Sequence, residues 1–426
     1  MPKHKFTSKL HVVVLPAALL AASAPSWLAA EVWEPVALSA TVEEVQPMTG
    51  IVVWADTPAA ATHDVQLEFS YLLYDDVVDE YGDYDWSSVD ALLERIAGRG
   101  HQAILRFRYI HPGFEETAVP AFIKKLPDYH ETVALSEGNS TAFCDWSHPA
   151  LQQFALDFHT RFAERYDDDP RLAFVQTGFG LWAEYHIYDG PMELGKTFPS
   201  KALQATFLRH LDAVYETTPW SISIDAAEAV RTPFAKQPEL KQLGFGLFDD
   251  SFMHARHDEY NTTCWNFFGR DRWKTQPAGG EFSYYTQADQ ENALAPEGMH
   301  GEPFADAAAR FHLTYMFGND QPRYRTADEI RQAGMAIGYR FRVLAFETDG
   351  KTSRVTITNT GIAPLYHEAY PALGGVEAKQ SLKGMLPGES RTFKIAANGR
   401  KSFLTIVSPR LVPRQVIGFD AELTAD

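Results

Sequence analysis

The chain has 426 residues, with 38 basic and 56 acidic side chains and a formal net charge of −18 at neutral pH. Nucleic acids and anionic membranes are bound chiefly through basic patches, so we expect neither as a partner. The length allows one large domain and a smaller one, and the acidic surface is compatible with an uncharged substrate.

The first thirty residues have the layout of a secretory signal peptide. A basic start, MPKHKFTSK, precedes the apolar run LHVVVLPAALLAASA, and small residues lead to Ala30. This pattern predicts cleavage near Ala30 and a secreted or periplasmic protein. An uncleaved anchor is the alternative, although the run is short and broken by Pro16. No later segment has 18 uninterrupted apolar residues, so we expect no membrane contact after cleavage.

Residues 31–337 are predicted to form a (β/α)8 barrel of the TIM type. The apolar period switches repeatedly between two and about 3.6, which indicates strands alternating with helices and a parallel sheet. No nucleotide-binding glycine turn follows the first strand, which favours a barrel over an open sheet. We place the third strand, the one without a clear pattern, within residues 109–146. The seven clear strands are VQLEFSYLLY, HQAILRFRYI, RLAFVQT, WSISIDA, GFGLFDD, TQPAGGEF and FHLTYMFGND.

Helices are expected between these strands at four places where apolar residues recur at helical spacing. These segments lie near residues 85–100, 147–166, 200–217 and 227–243. Beyond residue 338 the pattern changes to short strands separated by turn signals such as Asp349-Gly350 and Pro387-Gly388. Residues 338–426 are therefore predicted to form an antiparallel, Ig-like β-sandwich.

The sequence predicts neither a metal nor a cofactor. It contains no C-x-x-C or H-E-x-x-H spacing and no phosphate-binding glycine loop. Its two cysteines, Cys144 and Cys264, could form a disulfide in an exported protein or remain as two buried free thiols.

The stretch GFGLWAEYH, residues 178–186, follows the predicted fourth strand. Active sites of such barrels lie at the carboxyl ends of the strands, where this stretch begins. Glu184 and His186 are two residues apart, so in an extended segment both point to the side that Trp182 shares. A desolvated carboxyl group has a raised pKa and is suited to protonate a leaving group. A Glu–His pair that only orders the loop is the alternative.

A second carboxylate, Glu281, ends the predicted seventh strand in PAGGEF, again directly after two glycines. Strands four and seven stand across one rim of the barrel, so Glu184 and Glu281 could flank a glycosidic bond. Glycoside hydrolysis commonly uses such a pair, one acid and one nucleophile or base.

The positions of Glu184 and Glu281 resemble those in the large clan of barrel glycosidases whose acid/base follows strand four and whose nucleophile follows strand seven. GFGLWAEYH, PAGGEF and NTGIAPLY also resemble a family of poorly characterised secreted bacterial proteins with a barrel followed by a sandwich. The resemblance spans most of the mature chain and implies glycosidase activity. It departs at Ala183, where the clan usually carries an asparagine that holds the sugar 2-hydroxyl.

Further polar and aromatic residues are expected at the same end of the barrel. Trp182 and His186 are predicted to adjust the pKa of Glu184. Arg106 and Arg108 either orient the substrate or form structural pairs within the barrel. If the reaction inverts the anomeric centre, an aspartate is a candidate base, with a polar lining or a helix cap as the alternative role. The candidate aspartates are Asp225, Asp249 and Asp250, and the candidate stacking surfaces, which are equally ordinary core residues, are Tyr71, Trp265, Tyr284 and Tyr315.

The sequence therefore predicts a secreted or periplasmic glycoside hydrolase that acts on a poly- or oligosaccharide. Glu184 is the predicted general acid, and Glu281 the nucleophile or general base. Two alternatives remain open, a non-catalytic carbohydrate-binding barrel and a polysaccharide lyase that abstracts a proton beside a uronate.

Overall fold

The structure is a computed structural model that describes residues 32–61 and 65–425. The predicted signal peptide, residues 1–30, lies outside these ranges. Within them, no helix has the length and apolar character that a bilayer crossing requires.

Eight parallel strands close into a barrel in which neighbours in space follow one another in the chain. This arrangement confirms the predicted TIM-type barrel, and the counting that placed RLAFVQT fourth and AGGEF seventh is correct. Barrel strands 1 to 8 are Gly50–Trp54, Leu67–Leu73, Gln102–Arg108, Leu172–Gln176, Trp220–Ser223, Phe245–Phe252, Ala278–Phe282 and Tyr315–Phe317.

The predicted location of the unplaced strand is wrong. Residues 109–146 contain the short helix Ala121–Lys124 and an antiparallel hairpin of Thr132–Ser136 with Asn139–Phe143. The strand without a clear pattern is Gly50–Trp54, which is barrel strand 1, so the first two predicted strands are strands 2 and 3. Its residues up to Val53 are buried, and a strand covered on both faces shows no alternation of apolar and polar residues.

Three of the four predicted helices are present. Helix Pro149–Tyr166 begins with proline in its first turn, and helix Lys201–Val214 begins after Ser200, whose hydroxyl accepts a hydrogen bond from the amide of Leu203 at 3.2 Å. Helix Ser87–Arg99 ends at Gly100, which has a left-handed φ of 89°. The remaining helices of the described chain are Asp258–Phe268, Gln287–Asn292, Phe304–Phe311 and Ala327–Met335.

The helix expected at residues 227–243 is wrong. The described chain has only 3-10 turns there, Ile224–Ala227 and Pro238–Gln242. Pro233 and Pro238 lack the amide hydrogen that a continuous helix needs, so the segment cannot form successive α-helical hydrogen bonds.

The C-terminal region forms two β-sheets around a shared hydrophobic core. The larger sheet is not purely antiparallel, because Phe341–Thr348 pairs in parallel with Phe419–Leu423. Residues 34–40, which precede the barrel, also pair with this sheet. The order of the larger sheet is Ser390–Ile395, Ser353–Asn359, Phe341–Thr348, Phe419–Leu423 and Leu38–Ala40, and the smaller sheet contains Val376–Glu377, Tyr370–Leu373 and Leu404–Val407.

This sandwich covers the amino-terminal end of the barrel. Arg410 donates hydrogen bonds to the carbonyl of Leu172 at 2.6 Å and to the hydroxyl of Thr218 at 3.2 Å. Gln102, the first residue of barrel strand 3, donates to the carbonyl of Arg410 at 2.8 Å. The sandwich thus closes the end of the barrel opposite to the one where catalytic residues gather in this fold.

The two cysteines are not joined. Cys144 and Cys264 are both buried free thiols, which selects the second of the two states that the sequence allowed.

Candidate active site

The stretch after barrel strand 4 folds back on itself as a tight loop. The amides of Phe179 and Gly180 both donate to the carbonyl of Glu184, at 3.1 and 2.9 Å. The amide of Leu181 donates to the carbonyl of His186 at 3.1 Å. These backbone hydrogen bonds fix the position of the segment that carries Glu184.

The two glycines of this loop provide space for the returning backbone. A Cβ on Gly178 would lie 2.3 Å from the carbonyl oxygen of Ala183, and one on Gly180 would lie 1.7 Å from that of His186. The left-handed positions are instead Trp182 and Ala183, each with a φ of 56°. The glycines are therefore required for close packing rather than for unusual backbone angles.

We expect Gly180→Ala to lower the free energy of unfolding by about 1–3 kcal/mol, because the added methyl group overlaps a fixed carbonyl. Urea unfolding followed by circular dichroism measures this change. Gly98→Ala is the matched control, since a Cβ there meets nothing within 4 Å and the residue lies in helix Ser87–Arg99. Equal stability of the Gly180→Ala protein and the wild type would contradict the proposed crowding.

Glu184 lies at the centre of a group of buried charges. Its side chain is buried, with only 5% of the residue exposed. Oε2 lies 3.2 Å from Nε2 of His186, and Oε1 lies 3.8 Å from the Arg106 guanidinium. The other imidazole nitrogen, Nδ1, faces the carboxylate of Asp225 at 3.4 Å, and the carboxylate of Asp250 lies 4.0 Å from Nε2.

These surroundings shift the pKa values of the group. Burial, with a further contribution from Asp250, raises the pKa of Glu184 to about 8 although His186 and Arg106 oppose the shift. Burial alone would lower the pKa of His186, but Asp225, Glu184 and Asp250 outweigh it and raise that pKa to about 10. Burial raises the pKa of Asp225 to about 6, against the effect of His186. Glu184 is thus a carboxylic acid that retains its proton at neutral pH beside an imidazolium.

The same residues include the donors of a possible metal site. Glu184, His186 and Asp250 each offer one ligand atom, and these three atoms lie within 4.8 Å of one another. Among the described residues, this is the one cluster of three histidine, cysteine, aspartate or glutamate side chains with such a spacing. Metal binding would require His186 to release the proton that its carboxylate neighbours favour, so a metal and the ion-pair network are alternative occupants of this position. The absence of a metal stays a prediction.

Glu281 occupies barrel strand 7 and is partly exposed. Within the described ranges its carboxylate has no hydrogen bond or ion pair. Burial raises the pKa of Glu281 to about 8. The positive charge of Arg106 opposes this rise, and the negative charge of Asp250 adds to it. Gly279, two residues earlier, leaves room for the ring of Tyr315, from which a Cβ would be 2.2 Å away.

Glu184 and Glu281 line the same cavity, whose volume is about 500 Å³. This volume lies within the range of small-molecule sites in proteins. The structure therefore brings the two predicted carboxylates to one site. Its other lining residues are Trp54, Tyr71, Glu137, Trp182, Tyr188, Asp250, Tyr284, Tyr285, Phe317, Asn319 and Asp320.

Arg106 lies below this cavity, with 3% of its side chain exposed. It donates hydrogen bonds to Oε1 of Gln176 at 2.8 Å and, at 3.2 Å each, to the Tyr71 hydroxyl and the Trp182 carbonyl. Gln176 in turn donates to the hydroxyl of Tyr315 at 2.8 Å. Arg106 therefore has structural partners on three sides, and a role in orienting a substrate stays a prediction.

Arg108 packs against two aromatic rings. Its guanidinium carbon lies 4.6 Å from the ring centre of Tyr71 and 5.4 Å from that of Trp182, distances typical of cation–π contacts. Both rings line the cavity, whereas Arg108 itself does not. The predicted stacking residue Tyr71 and the predicted neighbour Trp182 thus reach the site together.

Two of the predicted stacking residues lie elsewhere. Trp265 is buried in helix Asp258–Phe268, where its indole nitrogen donates to the carboxylate of Asp249 at 3.2 Å. Tyr315 lies in the barrel interior with its ring centre 5.1 Å from that of Phe174. Neither residue lines the cavity. Asp249 lies on the opposite side of strand 6 from the lining residue Asp250, whereas Tyr315 lies on the same side of strand 8 as the lining residue Phe317 but deeper in the barrel.

Several lining residues were missed by the sequence analysis. Trp54 ends the unrecognised strand 1, and its β-branched run GIVVW was the available signal. Glu137 lies at the tip of the hairpin within residues 109–146 and accepts hydrogen bonds from the side chains of Trp182 and Tyr188. No sequence signal indicates that contact, since the hairpin and the strand 4 loop are brought together only by the fold.

No family model matches this chain, and no curated protein matches it. Solved structures match at low identity. The galactosidase domain of an α-galactosidase–sucrose kinase is similar at 10% identity with a TM-score of 0.38. The match covers 83% of this chain and 55% of the galactosidase chain, so this chain spans about half the length of that protein. A glycoside hydrolase family 30 subfamily 8 xylanase from Clostridium acetobutylicum has 12% identity and a TM-score of 0.39, covering 85% of this chain and 98% of the xylanase.

An α-amylase from Lactobacillus plantarum is similar at 11% identity with a TM-score of 0.38, covering 84% of this chain and 99% of the amylase. The descriptions of these three proteins name a galactosidase domain, a glycoside hydrolase family 30 xylanase and an α-amylase. At this level of similarity, nothing about the reaction of this chain follows from them.

Proposed function

We propose that this chain is a glycoside hydrolase of poly- or oligosaccharides, with Glu184 as general acid and Glu281 as nucleophile or general base. The observation that carries the proposal is the shared cavity, which these two carboxylates line from barrel strands 4 and 7. The carboxyl ends of the strands are where catalytic residues lie in this fold. Hydrolysis of a glycosidic bond commonly uses two carboxyl groups that flank the bond.

The surroundings of Glu184 support its role as the acid. Glu184 has a pKa raised to about 8, so at neutral pH it holds the proton that the leaving sugar oxygen needs. Glu281 has no hydrogen-bond partner within the described residues, and its carboxylate is open toward the cavity. Burial raises the pKa of Glu281 to about 8 as well, so the ionised form that a nucleophile or base needs is populated as the pH approaches 8, and Arg106 favours that form.

The reaction then proceeds as a balanced proton and bond exchange. Glu184 transfers its proton to the glycosidic oxygen as the bond to the anomeric carbon breaks. Glu281 either attacks that carbon or takes a proton from a water molecule that attacks it. In the first route, water then attacks the glycosyl–Glu281 ester, gives its hydroxyl group to the released reducing end and returns a proton to Glu184. In the second route, the proton taken from water remains on Glu281, and proton exchange with solvent returns Glu184 and Glu281 to their starting forms.

The two other classes receive less support from this geometry. A carbohydrate-binding barrel would use the aromatic walls but has no need of two carboxyl groups with raised pKa values. A uronate lyase needs a cation to neutralise the sugar carboxylate, and no arginine or lysine lines the cavity in the described chain.

A glycan panel tests the proposal. Purified protein should release reducing ends from at least one polysaccharide or oligosaccharide, and the Glu184→Gln/Glu281→Gln double variant should release none. Binding by calorimetry without any release of reducing ends would identify a binding barrel instead. Products with unsaturated, ultraviolet-absorbing ends would identify a lyase.

A further inference from the structure

We propose, on the basis of the hydrolase function above, that the cavity takes sugar units without negative charge. The substrate class is a glycan of neutral or amino sugars, and uronates and sulfated sugars are excluded. A free amino group on the sugar strengthens binding.

The first reason is the charge of the wall. Among the described residues, no lysine, arginine or histidine lines the cavity, whereas five carboxylates do. One of them, Glu281, has no partner in the described ranges, and the nearest charge recorded for Asp250 is His186 at 4.0 Å. The pKa values of Glu184 and Glu281 are raised, so the negative charge that a ligand meets in the cavity comes chiefly from the other three. The five are Glu137, Glu184, Asp250, Glu281 and Asp320.

The second reason is that the two nearby arginines are not part of the cavity wall. Arg106 lies below the cavity and donates to Gln176, Tyr71 and Trp182, and only 3% of its side chain is exposed. Arg108 lies against the rings of Tyr71 and Trp182. An anionic sugar group would therefore meet carboxyl groups in the described part of the wall, and no cation lies in that wall to contact it.

The third reason is the aromatic part of the wall. Rings of this kind accept the apolar faces of neutral sugars, and their electron-rich faces attract an ammonium group. Carboxylates next to such rings add a direct charge interaction with the same ammonium group. The aromatic lining residues are Trp54, Tyr71, Trp182, Tyr188, Tyr284, Tyr285 and Phe317.

Two series of free hexoses separate the effect of charge from that of sugar stereochemistry. They are glucose, glucosamine and glucuronate, and galactose, galactosamine and galacturonate, titrated into the wild-type protein by calorimetry at pH 6.5. In the series that binds, we expect the amino sugar to bind at least as tightly as the neutral sugar. The uronate should bind on the order of tenfold more weakly, because its charge lies close to several carboxylates. Raising the salt concentration from 20 to 200 mM should narrow this gap.

Charge variants assign the effect to the cavity. Glu137→Gln removes a rim charge while keeping a hydrogen-bonding side chain, and it should reduce the ratio of the amino-sugar affinity to the uronate affinity by about two- to fivefold. Glu94→Gln is the matched control, because Glu94 lies on helix Ser87–Arg99 outside the cavity with its side chain 80% exposed. That variant should leave the ratio unchanged.

The outcomes distinguish this inference from the hydrolase proposal. A uronate that binds as tightly as its amino counterpart, or no binding by any of the six sugars, would overturn the inference. Reducing ends released from a polyuronate would also overturn it while leaving the hydrolase function intact. The expected order of affinities without any hydrolysis would support the charge preference and remove the hydrolase proposal.

Discussion

Replacing Glu281 with glutamine is expected to reduce kcat/KM by on the order of 10⁴- to 10⁶-fold, as loss of a group that acts at the reacting centre does. The loss should be the same for every leaving group, because Glu281 acts on the anomeric carbon or on the attacking water. The fold should be retained, since the side chain has no hydrogen bond or ion pair in the described chain and is partly exposed. The measurement is the rate of reducing-end release, combined with thermal unfolding by circular dichroism.

The control for this variant is Glu94→Gln, which removes one carboxylate charge far from the cavity and should retain full activity. A Glu281→Gln protein with wild-type activity would remove Glu281 from the mechanism. The anomeric configuration of the first product, followed by NMR, then separates the two roles of Glu281. A retained configuration identifies a nucleophile, and an inverted one identifies a general base.

Replacing Glu184 with glutamine is expected to reduce kcat/KM on the natural glycan by about 10²- to 10⁴-fold, the usual contribution of a general acid. A 2,4-dinitrophenyl glycoside of the same sugar should be much less affected at the step that breaks the glycosidic bond. Its leaving group departs as a stable anion and needs no proton. The measurement is the burst or single-turnover rate on both substrates.

The pH dependence gives a second, independent test of Glu184. Since its pKa is raised to about 8, Glu184 holds its proton below that pH and loses it above. The pKa of Glu281 is also raised to about 8, so the ionised form of Glu281 is gained over the same range. We therefore expect kcat/KM of the wild type to reach a maximum near pH 8 and to fall above it. The Glu184→Gln protein should lack this alkaline decline on the activated substrate. Equal losses on both substrates, with the alkaline decline unchanged, would show that Glu184 is not the acid.

The barrel was predictable because its signals are local. Short apolar runs bounded by turn residues indicate buried strands, and apolar residues at helical spacing indicate helices, and both signals lie within about ten residues of sequence. Strands 4 and 7 could therefore be counted, and the carboxylates at their ends could be assigned to the same end of the barrel. Strand 1, Gly50–Trp54, was not recognised, although it is a buried apolar run of the same kind as strand 4.

The surroundings of the site residues could not be predicted in the same way. Arg106 was a candidate for substrate contact by its position on strand 3, but Gln176 on strand 4 and Tyr71 on strand 2 hold it below the cavity. Trp265 was a candidate for sugar stacking by its residue type, but Asp249 holds it in the helix layer. Such partners lie on different strands or helices, so their contacts depend on how the barrel closes.

The amino-acid sequence by itself determined the order of strands 2 to 8, the sandwich that follows them and the strand ends at which Glu184 and Glu281 lie. These features follow from residue types and spacings along short segments. Only the tertiary structure decided which charges surround the two carboxyl groups, and hence that both have raised pKa values. The physical reason is that burial and the nearest charges come from segments far apart in the chain, such as Arg106 and Asp250 on strands 3 and 6.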